Sequence, residues 1–368
     1  MTRTARHALN GDAVTFTVQN GRIASVEPTA DETNDTFIAP SFCDIQINGA
    51  LGVALTSKTL TTDGVRTVAH ECRRHGIGQF LPTVITSDFE TIRASFAALS
   101  LAIDSDATLA NAIPGFHLEG PYISGDEGPR GAHPKEHARD PNWVEFQRWQ
   151  DAAGGRIRLV TLAPERPGAI PFIERLVSKG IVVALGHTAA GGDAIRAAVD
   201  AGARISTHLG NGCAAMLPRH DNPIWHQLAN DELLASVIAD GHHLPPAVLK
   251  SLIRGKTPSR MILTCDASPL AGLPPGRYAE WGSEFEVLPE GKIVVPGTPY
   301  LAGSGAFTDH CVSHVLNTTD ATVAQALSMA SILPRQLLGL RRPEIEVGAA
   351  MDELVLFRWN RGKPITLL

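Results

Sequence analysis

The sequence predicts an α/β chain: a (β/α)8 TIM-like barrel with a small β-sandwich domain formed by both chain termini. Three observations carry this. Apolar or β-rich runs alternate with helical stretches through the middle of the chain, strand patterns without intervening helices occupy both ends, and polar residues capable of chemistry follow one middle run after another.

At the amino end, Ala13–Val18 alternates, Asn20-Gly21 signals a hairpin, and Arg22–Val26 resumes the alternation. At the other end Asp352–Trp359 reads as a strand, preceded by Gly348 and followed by the turn signal Asn360-Arg361-Gly362. Residues 1–39 and 343–368 are therefore assigned to the small domain and 40–342 to the barrel. The middle runs are Ile38–Ile47, Gly78–Val84, Ile113–Leu118, Ile157–Leu162, Ile181–Leu185, Arg204–Thr207, Leu234–Ala239 and Met261–Thr264. Phe89–Leu101, Ile170–Lys179, Ala194–Ala201 and Pro246–Arg254 carry helical periodicity between them. A doubly wound open sheet has the same alternation. The barrel is preferred because Gln46, Glu119, His187, His208, His243 and Asp266 all fall at or just after the carboxyl end of a run, and in a barrel those ends converge on one mouth.

With 43% hydrophobic and 19% charged residues, the 368-residue chain is globular rather than disordered. A net charge of −6 and a pI near 6.2 give nucleic acid or a membrane surface no basic patch to bind. Met1–Gly11 lacks the apolar stretch of a signal peptide, and no run is apolar for long enough to span a bilayer. The five cysteines are scattered without a Cys-x-x-Cys pair, which fits a cytoplasmic protein without a disulfide framework.

Glu119, His187 and His208 are candidate metal ligands. Imidazole nitrogen and carboxylate oxygen suit a borderline divalent ion, and three protein ligands leave a position open for water, whose pKa the ion lowers to about 7. A single histidine is more often a bonded core residue; three ligand-type residues placed together at strand ends reverse that inference. Asp266 ends a buried-looking strand, where a lone carboxylate is costly, so it is expected either to move a proton or to cap a helix. Of His242 and His243, one is expected to donate to a substrate carbonyl and the other to be structural. Cys265 points to the opposite face of its strand from Asp266. Neither Gly186–Gly192 nor Leu301–Gly305 has the spacing of a phosphate or dinucleotide loop, and no Gly-x-Ser-x-Gly elbow is present.

The strings Ala39–Gly49, His117–Tyr122, Gly131-Ala132-His133, Gly186-His187-Thr188, Thr207–Asn211, Ile238–His243, Thr264–Ala267 and Leu301–Ser304 occur in an order that resembles the N-acetylglucosamine-6-phosphate deacetylase family of the amidohydrolase superfamily, from about residue 37 to the C-terminus. The resemblance implies a metal-dependent deacetylase of an N-acetyl amino sugar, with Glu119, His187 and His208 as metal ligands, Asp266 as general acid/base and His243 on the acetamide carbonyl. Gln46 matches a glutamine that replaces the first ligand of a His-x-His pair, and Asn48 stands in for the second, so one divalent metal ion, zinc for preference, is implied. Ala132, His133, Asn211, Gly212, Leu301 and Gly303 match substrate contacts, and Arg219 matches the phosphate-binding arginine, eight residues beyond Asn211, although its neighbours depart from the family pattern and Asp221 stands ready to occupy it. A homodimer is implied as well. Two alternatives stay open: an unphosphorylated or differently substituted N-acyl sugar as substrate, and a non-catalytic sugar-binding barrel.

Overall fold

Two sheets organise the chain, because two hydrophobic patterns are written along it. The computed structural model describes residues 1–30, 35–298 and 300–368. Both termini contribute to one six-stranded sheet, in the order Thr366–Leu367, Leu354–Arg358, Thr36–Pro40, Thr2–His7, Ala13–Gln19, Arg22–Pro28. Asn20 and Gly21 turn the hairpin with φ of 50° and 72°, the left-handed pair that an Asn-Gly turn requires. Ala5, Val14, Phe16, Ile23, Ile38, Leu354 and Leu356 pack together on one face. On the other, hydroxyl pairs Thr4–Thr15 and Thr17–Ser25 cross between strands. The sheet curls until Arg22 bridges to Ala350, enclosing that small core.

The run read as one strand from Ile38 to Ile47 is two. Pro40 cannot donate to a ladder, and at Ser41 the chain leaves one sheet for the other: the Ser41 amide bonds to Glu353 O (2.9 Å) and the Phe42 amide to Gly76 O (2.9 Å). Strand Thr2–His7 was not expected, since Ala5 is its one buried apolar residue.

The barrel strands are Phe42–Ile47 (β1), Ile77–Ile85 (β2), Phe116–Glu119 (β3), Ile157–Leu162 (β4), Val182–Leu185 (β5), Ile205–Ser206 (β6), Leu234–Ile238 (β7) and Met261–Thr264 (β8). They lie parallel and pair in sequence order. A parallel bridge between Ile47 and Ala267 joins the last strand to the first. Ile45, Leu81, Leu159, Ala184, Ile205 and Ile262, one from each of six strands, form an interior cluster separate from the larger core under the helices. This plug fills the barrel's interior with side chains. The four predicted helices form, and others such as Thr62–Arg74 (α1) join them; Thr61 Oγ1 accepts from Gly64 N where α1 begins, and Asp88 accepts from the Glu90 and Thr91 amides where Phe89–Ser105 (α2) begins.

After β8 the chain inserts a three-stranded antiparallel sheet, Gly276–Glu280, Ser283–Val287 and Ile293–Val294. Its own core holds Leu270, Phe285, Val287, Ile293 and Ala302. Among the described residues no helix is long and apolar enough to cross a membrane.

Candidate active site

His187, His208 and Asp266 each lie two residues past the end of a strand, at the same step beyond β5, β6 and β8. All three take left-handed backbone, with φ of 51°, 31° and 54°. This turns the chain sharply at the rim and aims each side chain across the mouth. Ser236 fixes His208 from the next strand, its Oγ accepting from the His208 amide (2.8 Å).

Glu119 ends β3 and meets both histidines. Its Oε1 lies 3.1 Å from His187 Nε2 and 3.2 Å from His208 Nε2, and the two nitrogens are 3.1 Å apart. His187 Nδ1 bonds to Pro129 O (2.9 Å), so that nitrogen carries the proton and Nε2 presents a lone pair to a carboxylate oxygen. An acceptor facing an acceptor in a buried site is unfavourable unless a cation sits between them, so the donor set fits a divalent ion. Burial pushes the Glu119 carboxyl up, but the two adjoining imidazoles, His187 and His208, prevail and hold it well below the carboxylate range. Gly212 presses on the same pair: a Cβ there would come within 3.1 Å of His187 Nδ1 and of His208 Cε1, at a φ of 56°.

Gln46 and Asn48 are both wired to the site. Gln46 Nε2 donates to Glu119 Oε1 (2.9 Å), and Asn48 Nδ2 donates to Asp266 Oδ1 (2.6 Å). Burial and the negative charge of Glu119 push the Asp266 carboxyl well up. Beneath them Asp44 is fully buried and accepts four bonds, from the Gln46 amide, Thr264 Oγ1, the Cys265 amide and Thr308 Oγ1. It ties β1 to β8 where the barrel closes. Cys265 is buried in the core under the helices, away from Asp266, as the alternation requires.

A cavity of about 380 Å³ opens above this cluster. Glu119, His187, His208, Asp266, His243, Ala132, His133, Asn211, Gly212, Leu301 and Gly303 all line it. His133 stands beside this cluster, its ring 4.3 Å from that of His187, with Nδ1 held by Thr86 Oγ1 at 2.7 Å. Burial, aided by His187, pulls its imidazole down to about 3. His243 Nδ1 bonds to Asp240 Oδ2 (2.7 Å), and Ser304 Oγ donates to the same oxygen (2.9 Å). His117, from the same string as Glu119, is a core residue: its Nδ1 bonds to Ile45 O and its Nε2 to Thr161 Oγ1.

Arg219 is not brought to the cavity. It lies exposed on the loop after Asn211, with its carbonyl accepting from Trp225 Nε1. Asp221 does not occupy it either; that carboxylate bonds to His226 Nε2 and the Gly192 amide. Several lining residues lay outside the sequence expectations. Trp281, Lys292 and Tyr300 come from the inserted sheet and the segment after it, and Ser268 follows Asp266. No local motif marks the first three, since they reach the cavity only through the long-range packing of the insert.

No protein-family model matches the chain. It is 38% identical over 363 residues to N-acetylglucosamine-6-phosphate deacetylase of Bos taurus, a match covering 92% of this chain and 86% of that one. N-acetylgalactosamine-6-phosphate deacetylase of Escherichia coli O157:H7 is 32% identical over 326 residues, covering 88% and 84%. Among solved structures, a mutant N-acetyl-D-glucosamine-6-phosphate deacetylase from Mycobacterium smegmatis, in complex with N-acetyl-D-glucosamine-6-phosphate, superposes with a TM-score of 0.87 at 27% identity, covering 100% of this chain and 97% of that one. With relatives this similar along nearly its whole length, and with ligand-type residues converging at the mouth of a (β/α)8 barrel, the chain belongs to the N-acetylglucosamine-6-phosphate deacetylase family of amidohydrolases.

Proposed function

We propose that this enzyme hydrolyses the acetamide of an N-acetylated amino sugar 6-phosphate, N-acetylglucosamine 6-phosphate in the first place, releasing acetate and the free amine. The observation that carries the reading is the meeting of Glu119 Oε1, His187 Nε2 and His208 Nε2 within 3.2 Å of one another, in a cavity that Asp266 also lines. These three residues would hold the divalent ion, zinc by our assignment, which when bound supplies Lewis acidity toward the carbonyl and lowers the pKa of a water molecule.

The chain's own groups do the rest. Asp266, oriented by Asn48 and kept ionised by the charge that a bound cation would set against Glu119, would take the proton from the attacking water and deliver it to the leaving nitrogen. We assign the acetamide carbonyl to His133 and His243: His133 Nδ1 can accept from Thr86 Oγ1, leaving Nε2–H to donate, while His243, anchored through Nδ1–H on Asp240, flanks the same carbonyl. Asn211 and Gly212, with Ala132, Leu301 and Gly303, form the remaining wall around the sugar. We also propose a homodimer, which light scattering would test.

Acetate release, screened with N-acetylglucosamine, N-acetylgalactosamine and their 6-phosphates after metal is added back, tests the reaction. Asp266→Asn is expected to lower kcat by about 10²–10⁴-fold while still binding metal. Near-normal turnover with metal bound would overturn the mechanism. A second reading, an unphosphorylated substrate, is favoured by the exposed position of Arg219 outside the cavity, and the same screen separates the two.

A further inference from the structure

We propose that a cleft at the amino-terminal end of the barrel, opposite the candidate metal ligands, binds a phosphate dianion through Arg22, Arg73 and Arg335. The cleft has a volume of about 310 Å³ and lies between the six-stranded sheet and the starts of β1 and β2, where Ser41 and Gln79 line it. Among the described residues none lines both this cleft and the cavity at the barrel mouth. Arg22, Arg73, Arg335 and Arg341 line it against two carboxylates, Asp352 and Glu353, and Glu353 Oε1 is engaged by Arg341. Four positive charges against two negative ones leave +2 in one cleft of a chain whose net charge is −6. Arg22 donates to Gly348 O (2.8 Å) and Arg73 to the Asp352 carbonyl, and among the described residues neither they nor Arg335 form an ion pair with a carboxylate.

Arg335 is 1% exposed, yet it lines the cleft. Its Nε donates to Gln79 Oε1 (3.0 Å), its Nη1 to Ser41 O (2.7 Å) and Ser331 Oγ (2.7 Å), and its Nη2 to Ser41 Oγ (3.2 Å). Every one of these acceptors is neutral, and of the two hydrogens on Nη2 one has no acceptor among the described residues. Burial pulls the guanidinium below its ordinary value. A buried full charge surrounded only by neutral dipoles is unfavourable unless an anion is set against it, and the cleft is where one can enter. The fork is held in place by its neighbours: a Cβ on Gly78 would strike Ser41 Oγ at 2.0 Å, so glycine there leaves room for the hydroxyl that Arg335 holds. Arg73 lies in the last turn of α1 and Arg22 opens a strand of the six-stranded sheet, so the three guanidiniums meet only in the folded chain. Guanidinium forks bind two phosphate oxygens at once. Leu340, Pro343 and Ala350 add an apolar flank, a surface for the carbon body of an organic phosphomonoester.

Calorimetric titration of the full chain with inorganic phosphate and with glycerol 2-phosphate, in wild type, in the double variant Arg22→Gln/Arg73→Gln and in Arg335→Lys, tests this. The double variant should raise Kd by about 10–100-fold and Arg335→Lys by about 10-fold, with far-UV circular dichroism unchanged. If Arg335→Lys does not fold, the double variant decides, since Arg22 is exposed and Arg73 only half-buried. Tighter binding of glycerol 2-phosphate than of inorganic phosphate assigns the cleft to an organic monoester, and equal binding assigns it to phosphate itself; both support the proposal. Binding of neither probe by wild type, or the same Kd in wild type and double variant, would overturn it. A crystal soaked in tungstate, a tetrahedral dianion, locates the site: anomalous density within hydrogen-bond distance of Arg335 Nη2, lost in the double variant, is the expected result. Density elsewhere alone, or density at Arg335 without calorimetric binding and hence an adventitious ion only, would refute it.

Discussion

Replacing Asp44 by asparagine tests whether a buried carboxylate holds the site together. Asp44 has no solvent exposure, and its two oxygens accept four bonds: Oδ1 from the Gln46 amide (3.0 Å) and Thr264 Oγ1 (2.5 Å), Oδ2 from the Cys265 amide (2.9 Å) and Thr308 Oγ1 (2.6 Å). An asparagine keeps one oxygen and presents an NH2 in place of the other. The threonine facing that NH2 can rotate its hydroxyl and accept, but a backbone N–H cannot. Whichever way the amide is turned, one backbone donor is stranded, Gln46 in one orientation and Cys265 in the other. A stranded buried donor costs about 1–3 kcal/mol, and turning the surviving bonds from ionic to neutral removes about 1 kcal/mol each. Together these give a loss of about 3–5 kcal/mol, measured as the shift in urea unfolding followed by tryptophan fluorescence. Because the stranded amide belongs to or adjoins a residue of the site, Gln46 on Glu119 or Cys265 next to Asp266, kcat should fall as well. A loss below about 1 kcal/mol with kcat unchanged would refute the argument, since the four bonds would then contribute nothing over what an amide supplies.

Two further outcomes follow from the geometry. Removing metal with a chelator should abolish acetate release and lower the melting temperature by a few degrees, since an ion at 100 times its Kd stabilises by about 2.7 kcal/mol; an unmoved transition by calorimetry would count against Glu119, His187 and His208 as ligands. Asp88→Ala should cost about 1 kcal/mol by uncapping α2. Slight burial raises the Asp88 carboxyl, but bonds from Thr91 and Lys58 outweigh it and hold it at about 2. A carboxyl depressed in the folded state stabilises above its unfolded value near 3.9 and loses that contribution as pH falls toward about 2, so the difference between wild type and variant should be full at about pH 5 and fade below about pH 4. A difference that persists undiminished at about pH 2 would contradict it.

The parts of the fold and site that were legible in the sequence share one property: their signal is local. Val182–Leu185 is apolar and His187 follows within two residues, so the end of the strand and the candidate ligand appear together. The same holds for Glu119, His208 and Asp266. What was hidden depends on distant pairing. The inserted sheet turns on Trp281-Gly282, with φ of 49° and 76°, the left-handed pair of a tight hairpin but with an indole where asparagine usually announces it. Lys292 therefore looked like any surface lysine. The switch at Ser41 was obscured because apolar residues continue on both sides of Pro40-Ser41, and the partner that ends the first sheet there is Glu353, more than 300 positions away. Asp44 gave no sign either, since a single acid in an apolar run acquires meaning only from the three elements that donate to it.

The left-handed backbone at His187, His208 and Asp266 bears on how such an enzyme ages. An L-residue with a Cβ is disfavoured in that region by roughly 1–2 kcal/mol, a cost that glycine escapes and asparagine softens. In a lineage where turnover no longer matters, drift toward stability would reach these three positions early and replace them with glycine or asparagine, while the apolar strand before each one persists. A relative carrying His→Gly or Asp→Asn two residues past an intact strand would then have kept its barrel and given up its chemistry, and a sequence comparison could detect that loss before any assay.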